Sequence, residues 1–142
     1  MKGLVADANF SGHLERLVVI FELPDWEPFW RDLSLAITDF ETLGLTPDAD
    51  DRTVWERCQA EQLILLTCNR NDDGPDSLEA AIRDGPPSAL PVVTGADGQR
   101  LMLDAEYARV VAVQLMDYLL DLRGQPETLL GAGRLYLPKN PI

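Results

Sequence analysis

Leu63-Ile64-Leu65-Leu66-Thr67 is an unbroken run of five residues without charge, and it narrows the fold more than any other segment. A strand with no polar side has no face to give to water. It must be covered on both faces, as the strands of a parallel sheet are when helices lie above and below it. One such strand therefore implies neighbours on either side and two layers of helix around them.

The rest of the chain supplies those elements. Lys2 to Ala6 is short and apolar and ends at Asp7, a strand followed directly by a turn. From Asn9 onward, Leu14, Leu17, Val18 and Phe21 recur at helical spacing, with Asn9 or Ser11 placed to cap the helix and Pro24 to stop it. Trp26, Phe29, Trp30 and Leu33 follow at i, i+3, i+4 and i+7, which predicts a second short helix with Pro28 near its start. Leu35 to Phe40 is ambiguous and alternates as a short strand would. Thr46 to Asp51 reads as a polar turn, and a helix over about 52–61 is capped by Asp50 or Asp51, with Val54, Trp55 and Cys58 inward.

After the polar run from Cys68 to Pro75, Asp76-Ser77-Leu78-Glu79 reads as a capping box opening a helix to about Asp84, which Gly85-Pro86-Pro87 breaks. Leu90 to Thr94 makes another short strand. Asp104 to Leu122 is long and amphipathic, with Tyr107, Val110, Val111, Leu115, Tyr118, Leu119 and Leu122 on one side. Gly133 to Pro138 reads as an edge strand, with Pro138 tolerated at its end. Strands alternating with helices predict a single domain over 1–142, a three-layer α/β/α fold with a mostly parallel central sheet.

Charge limits what such a domain can hold. Twelve Lys and Arg residues against 24 Asp and Glu give a net charge of −12, and the cations are scattered rather than gathered in a block. An extended basic surface for duplex nucleic acid is disfavoured, whereas a small local site or one mediated by a divalent metal is not. With one histidine, His13, and two cysteines, Cys58 and Cys68, a zinc cluster is not expected, and a domain of this size needs no disulfide. His13 is expected at the surface or half-buried. No apolar run approaches a membrane span, and Asp7 comes too early for a signal-peptide core, so a cytoplasmic location is expected. The aromatic segment Asp25 to Trp30 and the stripe on the last helix are read as core, with part of either available for self-association into a homo-oligomer.

In a parallel sheet, polar residues just past the carboxyl ends of strands form the natural site. Asp7-Ala8-Asn9 and Asn69-Arg70-Asn71-Asp72-Asp73 hold that position, and Asp51 opens the helix that feeds the second strand. Carboxylates gathered in one place repel each other unless a cation or proton relieves them, and oxygen ligands suit a hard ion such as Mg²⁺ or Mn²⁺. Asn69-Arg70-Asn71 offers amides and a guanidinium, suited to a phosphate, a carboxylate or a base edge. The same residues also suit a structural role, with Arg70 pairing Asp7 or Asp51. No nucleophile–base pair is evident for a small-molecule enzyme.

Asp7-Ala8-Asn9 after the first strand resembles the opening of PIN-like nuclease domains. Asp51-Arg52-Thr53-Val54-Trp55, Cys58 and Leu63 to Thr67 resemble the small bacterial PIN-like family related to toxin nucleases: an Asp opening a helix, then an apolar strand ending in Thr. The likeness covers the first half of the chain well and the second half only in element order. It implies a PIN-like fold and a metal-dependent ribonuclease, with an antitoxin-like protein as a partner. Asp7 and Asp51 would be the catalytic acids and metal ligands. Asn69 and Asp72 would complete the metal site, while Asn9, Arg70 and Asn71 would meet RNA. Where the family has Asp in two places after the strand, this chain has Asn69 and Asn71, which removes two negative charges; Asp72, Asp73 or Asp76 can substitute from the same loop. The alternative the departure implies is a catalytically inactive PIN-like protein that acts by binding.

Overall fold

In the computed structural model, residues 1–68 and 74–139 are described. Five strands form one sheet: β1 (Gly3–Ala6), β2 (Ala36–Thr38), β3 (Leu63–Thr67), β4 (Val92–Gly95) and β5 (Arg134–Leu137). Their order is β2-β1-β3-β4-β5 and every pairing is parallel. Six helices among the described residues connect them: α1 (Ser11–Phe21), α2 (Glu27–Leu33), α3 (Asp51–Ala60), α4 (Leu78–Asp84), α5 (Gly98–Leu103) and α6 (Ala105–Gly124). No described helix is long and apolar enough to cross a membrane.

The two-faced burial expected of Leu63–Thr67 is what the structure has: all five residues are buried. Successive side chains of a strand point to opposite faces, and the core divides accordingly. Leu4, Ile64, Leu66 and Val93 join the apolar sides of α1, α2 and α6 in one cluster. Val5, Leu63, Leu65 and Val92 join Val54, Trp55 and Cys58 of α3 and Leu78 and Ala81 of α4 in a second. Helices thus cover the sheet on both faces. Cys58, sealed in the second layer, has its thiol pushed up to about 12 by burial and is an inert core residue.

The side of the sheet on which each helix lies also fixes the sense of each crossover. The β1–β2 connection steps toward one edge over the first face. The β2–β3 and β3–β4 connections step the opposite way over the second face, so all three share one hand. The β4–β5 connection steps the same way as those two but carries α6 over the first face, and therefore has the opposite hand. Connections in parallel sheets overwhelmingly share one hand, so this last one breaks the rule. It is driven by burial: nine residues of α6, among them Val111, Leu115 and Leu119, are needed over Leu66 and Val93. On the second face of β5, Tyr136 is 43% exposed. Arg134, on that same strand, is held by Glu79 of α4 and by the Thr94 hydroxyl at 2.8 Å.

Helix ends differ in places from the sequence-based expectation. Phe10, not Asn9 or Ser11, occupies the N-cap of α1, and no side chain caps it. The backbone turn is instead closed by the Phe10 N–H donating to the Asp7 carbonyl at 2.9 Å. Asp50 rather than Asp51 caps α3, accepting from the Thr53 N–H at 2.8 Å. Ser77 caps α4 by accepting from Ala80, so Asp76 is one residue too early for a capping box, and Glu79 is released to meet Arg134. Helix α5 was not anticipated, because its six residues carry no helical period long enough to read. Val110 is half-buried and Phe29 is 48% exposed, so neither is full core.

Leu66→Ala is expected to cost about 3 kcal/mol, from lost transfer energy plus an unfilled cavity at a fully buried position. Asp50→Ala is expected to be clearly the milder of the two, from loss of a surface cap. Urea unfolding of the two variants checks the order; a cap variant as damaging as the core variant would contradict this division of the energy.

Candidate functional site

The strand order reverses direction between β1 and β3, where the chain leaves one strand toward either edge. Such a switch point opens a crevice at the carboxyl ends of the two strands. Here it is a cavity of about 340 Å³. Asp7 and Asn9 line it from the β1–α1 turn, and Asp51 from the first turn of α3. Thr67 and Cys68 line it from the end of β3. Phe40, Pro47 and Ala49 close it from the β2–α3 connection.

Asp7 is built into the sheet by its backbone and into the pocket by its side chain. Its N–H donates to the Leu66 carbonyl at 3.2 Å, continuing the β1–β3 ladder one residue past the strand. One carboxylate oxygen, Oδ1, accepts from the Asn9 N–H at 3.1 Å, and Oδ2 accepts from the Thr67 hydroxyl. The Asn9 contact belongs to the turn itself, and the Thr67 contact follows from the register, which sets Ala6 opposite Leu66 and so Asp7 opposite Thr67. The pKa of the Asp7 carboxyl is nonetheless raised above its ordinary value. Burial is the main cause, and the negative charge of Asp51 pushes the same way; the bonds from Thr67, Asn9 and Phe10 offset this only in part.

Asp51 is brought to the pocket by the Asp50 cap, which frees the next residue to face inward. Arg52 anchors the neighbouring loop to the same helix end. Its backbone N–H donates to the Asp76 carbonyl at 3.1 Å, and its guanidinium to the Pro75 carbonyl at 2.8 Å and Asp84 at 2.9 Å. Asp76 lies toward Arg52, at 3.9 Å, and is not among the residues lining the cavity.

The structure places Asp7, Asn9 and Asp51 on the wall of one cavity. Asn69, Arg70, Asn71, Asp72 and Asp73 lie outside the described residues. His13 is not part of the pocket: its ring stacks on Phe10 at 5.0 Å and its Nε2 bonds the Gly98 carbonyl at 2.9 Å. Thr67 was missed as a site residue. Its signal was a single hydroxyl closing an otherwise aliphatic strand, beside the position where the polar residues begin.

Two carboxylates in Coulombic range, one of them opposed as an anion by burial and by the other, suit a small cation with few protein ligands. Mg²⁺ is commonly held by one or two carboxylates with water filling the remaining positions. Among the described residues no group of three or more His, Cys, Asp or Glu converges, so Asp7 and Asp51 fit one side of such a shell and no more.

Because the folded-state pKa of Asp7 is raised, the unfolded chain gives up this proton first. Folding stability from this group is whole below the ordinary carboxylate pKa and falls as pH rises through the raised value. In metal-free buffer Asp7→Asn, which keeps the shape, is expected to raise the melting temperature at about pH 7 and to leave it nearly unchanged at about pH 3. Equal shifts at both pH values would show that ionisation of Asp7 is not opposed by its surroundings. No protein-family model, characterised protein or solved structure matches this chain, and the pocket stands on its own geometry.

Proposed function

We propose that this chain is a PIN-like domain that uses the pocket between β1 and β3 to cleave RNA with the help of Mg²⁺ or Mn²⁺, as the toxin half of a toxin–antitoxin pair. The observation that carries the reading is the meeting of Asp7 and Asp51 at the switch point, close enough for one charge to act on the other. Asp7 and Asp51 would hold the ion. When bound, it would activate water and offset the charge that develops on a phosphodiester.

The remaining steps belong to side chains. Thr67 orients the Asp7 carboxylate by donating to Oδ2, which leaves further lone pairs of both oxygens for a cation. Asn9 shares the pocket wall and can accept from or donate to a ribose or base edge. Between Arg57 and Arg83 the chain has one Lys or Arg, Arg70, and it would supply the positive charge for the scissile phosphate. An acidic protein with one such cation favours a short single-stranded substrate over a duplex.

Asn69 and Asn71 favour a second reading. Amides at positions where the PIN-like pattern has Asp lower the charge available to a divalent ion, so the pocket would bind RNA or a partner without cutting it.

Calorimetric titration with Mn²⁺, paired with a cleavage assay on short RNA, separates the two. The nuclease reading expects saturable Mn²⁺ binding that weakens by about tenfold or more in Asp7→Asn and Asp51→Asn, with cleavage lost in both. RNA binding without Mn²⁺ uptake or cleavage supports the second reading. Neither metal nor RNA binding would remove both.

A further inference from the structure

Beside the pocket, α1 and the edge strand β2 enclose a second groove, of about 580 Å³. Leu14 and Val18 form its floor along α1. Val19 and Ile37 form its walls and are 64% and 48% exposed, the latter on the outermost strand of the sheet. The groove is bounded by Glu15, Glu22 and Asp39, and among the described residues no Lys or Arg lines it. Among the described residues none of these three carboxylates has an ion-pair partner, although acidic residues elsewhere do, as Glu27 with Arg31 and Asp84 with Arg52. Asp39 is held firmly ionised by the Thr42 N–H donating to it at 2.8 Å.

A largely apolar trough whose charged lining residues, among those described, are all carboxylates selects its occupant by charge. A second copy of this chain would bring the same three carboxylates against themselves about a two-fold axis, and nucleic acid would be repelled outright. Spacing selects the shape. Glu15 and Glu22 are seven residues apart along α1 and its C-cap, which is two turns or about 10.5 Å. A helix laid along α1 repeats its own side chains at the same interval, with apolar residues three and four positions on. Strand addition is disfavoured, because β2 offers only three residues of edge. We infer that the α1–β2 groove is a docking site for a cationic amphipathic helix of a partner protein, with Lys or Arg two turns apart reaching Glu15 and Glu22 around an apolar stripe seated on Val18, Val19 and Ile37. This site shares no lining residue with the pocket at Asp7, which it adjoins through Ala6 and Asp39, and the inference does not depend on what that pocket does.

A synthetic helical peptide with Lys at i and i+7 flanking Leu residues tests the inference on the intact chain. Its counterpart carries Glu at the two Lys positions. Fluorescence anisotropy reads affinity and NMR amide shifts read location. The Lys peptide is expected to bind, to shift amides over 14–22 and 37–39, and to weaken about tenfold or more with Glu15→Lys/Glu22→Lys. Asp117→Lys/Glu127→Lys changes the net charge equally at exposed positions away from the groove and is expected to leave affinity within about twofold. The Glu peptide is expected not to bind. Equal losses in the two double variants, or shifts scattered outside the groove, would reduce the effect to general attraction by a polyanion and overturn the site. So would no binding at all. Self-association seen by sedimentation and abolished by Val19→Asp would assign the groove to a second copy instead.

Discussion

The rest of the molecule is arranged around β3, a strand that can touch water on neither face. Its residues do not divide into an inside and an outside: Ile64 and Leu66 are committed to one helical layer, Leu63 and Leu65 to the other. A slip of one residue would exchange the two sets. With all five residues buried, the register against β1 is tightly specified, and that register is what sets Thr67 beside Asp7. The geometry of the pocket is thus inherited from the packing of an aliphatic strand. Its polar residues could change with little effect on their placement.

Much of this was legible in the chain because the relevant signals are local. Leu63–Thr67 and the Ser77–Asp84 region are bounded by abrupt changes in polarity, and Asp104 caps α6 by accepting from the Glu106 and Tyr107 N–H groups. Asp7 and Asp51 were found because the ends of parallel strands and the starts of helices are where polar groups face a shared crevice. What was not legible is equally physical. The N-cap of α1 is closed by backbone, so neither Asn9 nor Ser11 carries the signal that sequence reasoning seeks. Asp50 and Asp51 are indistinguishable by residue type, and only the Thr53 bond decides between them. Glu79 looked like half of a capping box because its partner, Arg134, lies 55 residues away.

The charge of the protein acts differently in its two concave regions. In the pocket, burial works against the ionisation of Asp7, and the charge of Asp51 adds to it. At the α1–β2 groove the carboxylates are unopposed by any lining cation among the described residues, and Asp39 is stabilised as an anion by its own turn. The same residue type therefore creates a demand for a cation at one place by strain and at the other by field, which distinguishes ion coordination from electrostatic steering.

The reversed hand of the β4–β5 connection binds the two ends of the chain to each other. Helix α6 belongs by connectivity to the last two strands, yet it completes the layer begun by α1, beside Phe10, Leu17 and Phe21. At its far end Arg123 donates to the carbonyls of Leu33 and Met1, at 2.9 and 3.3 Å. Had α6 followed the common sense of crossover, the apolar side of the β1–α1–α2–β2 portion would have been left without that helix. Instead its apolar side is finished only by residues synthesised some 90 positions later. The layer over the first face is for that reason shared by the two ends of the chain, whereas the second cluster, from Val5 to Val92, draws nothing from α6.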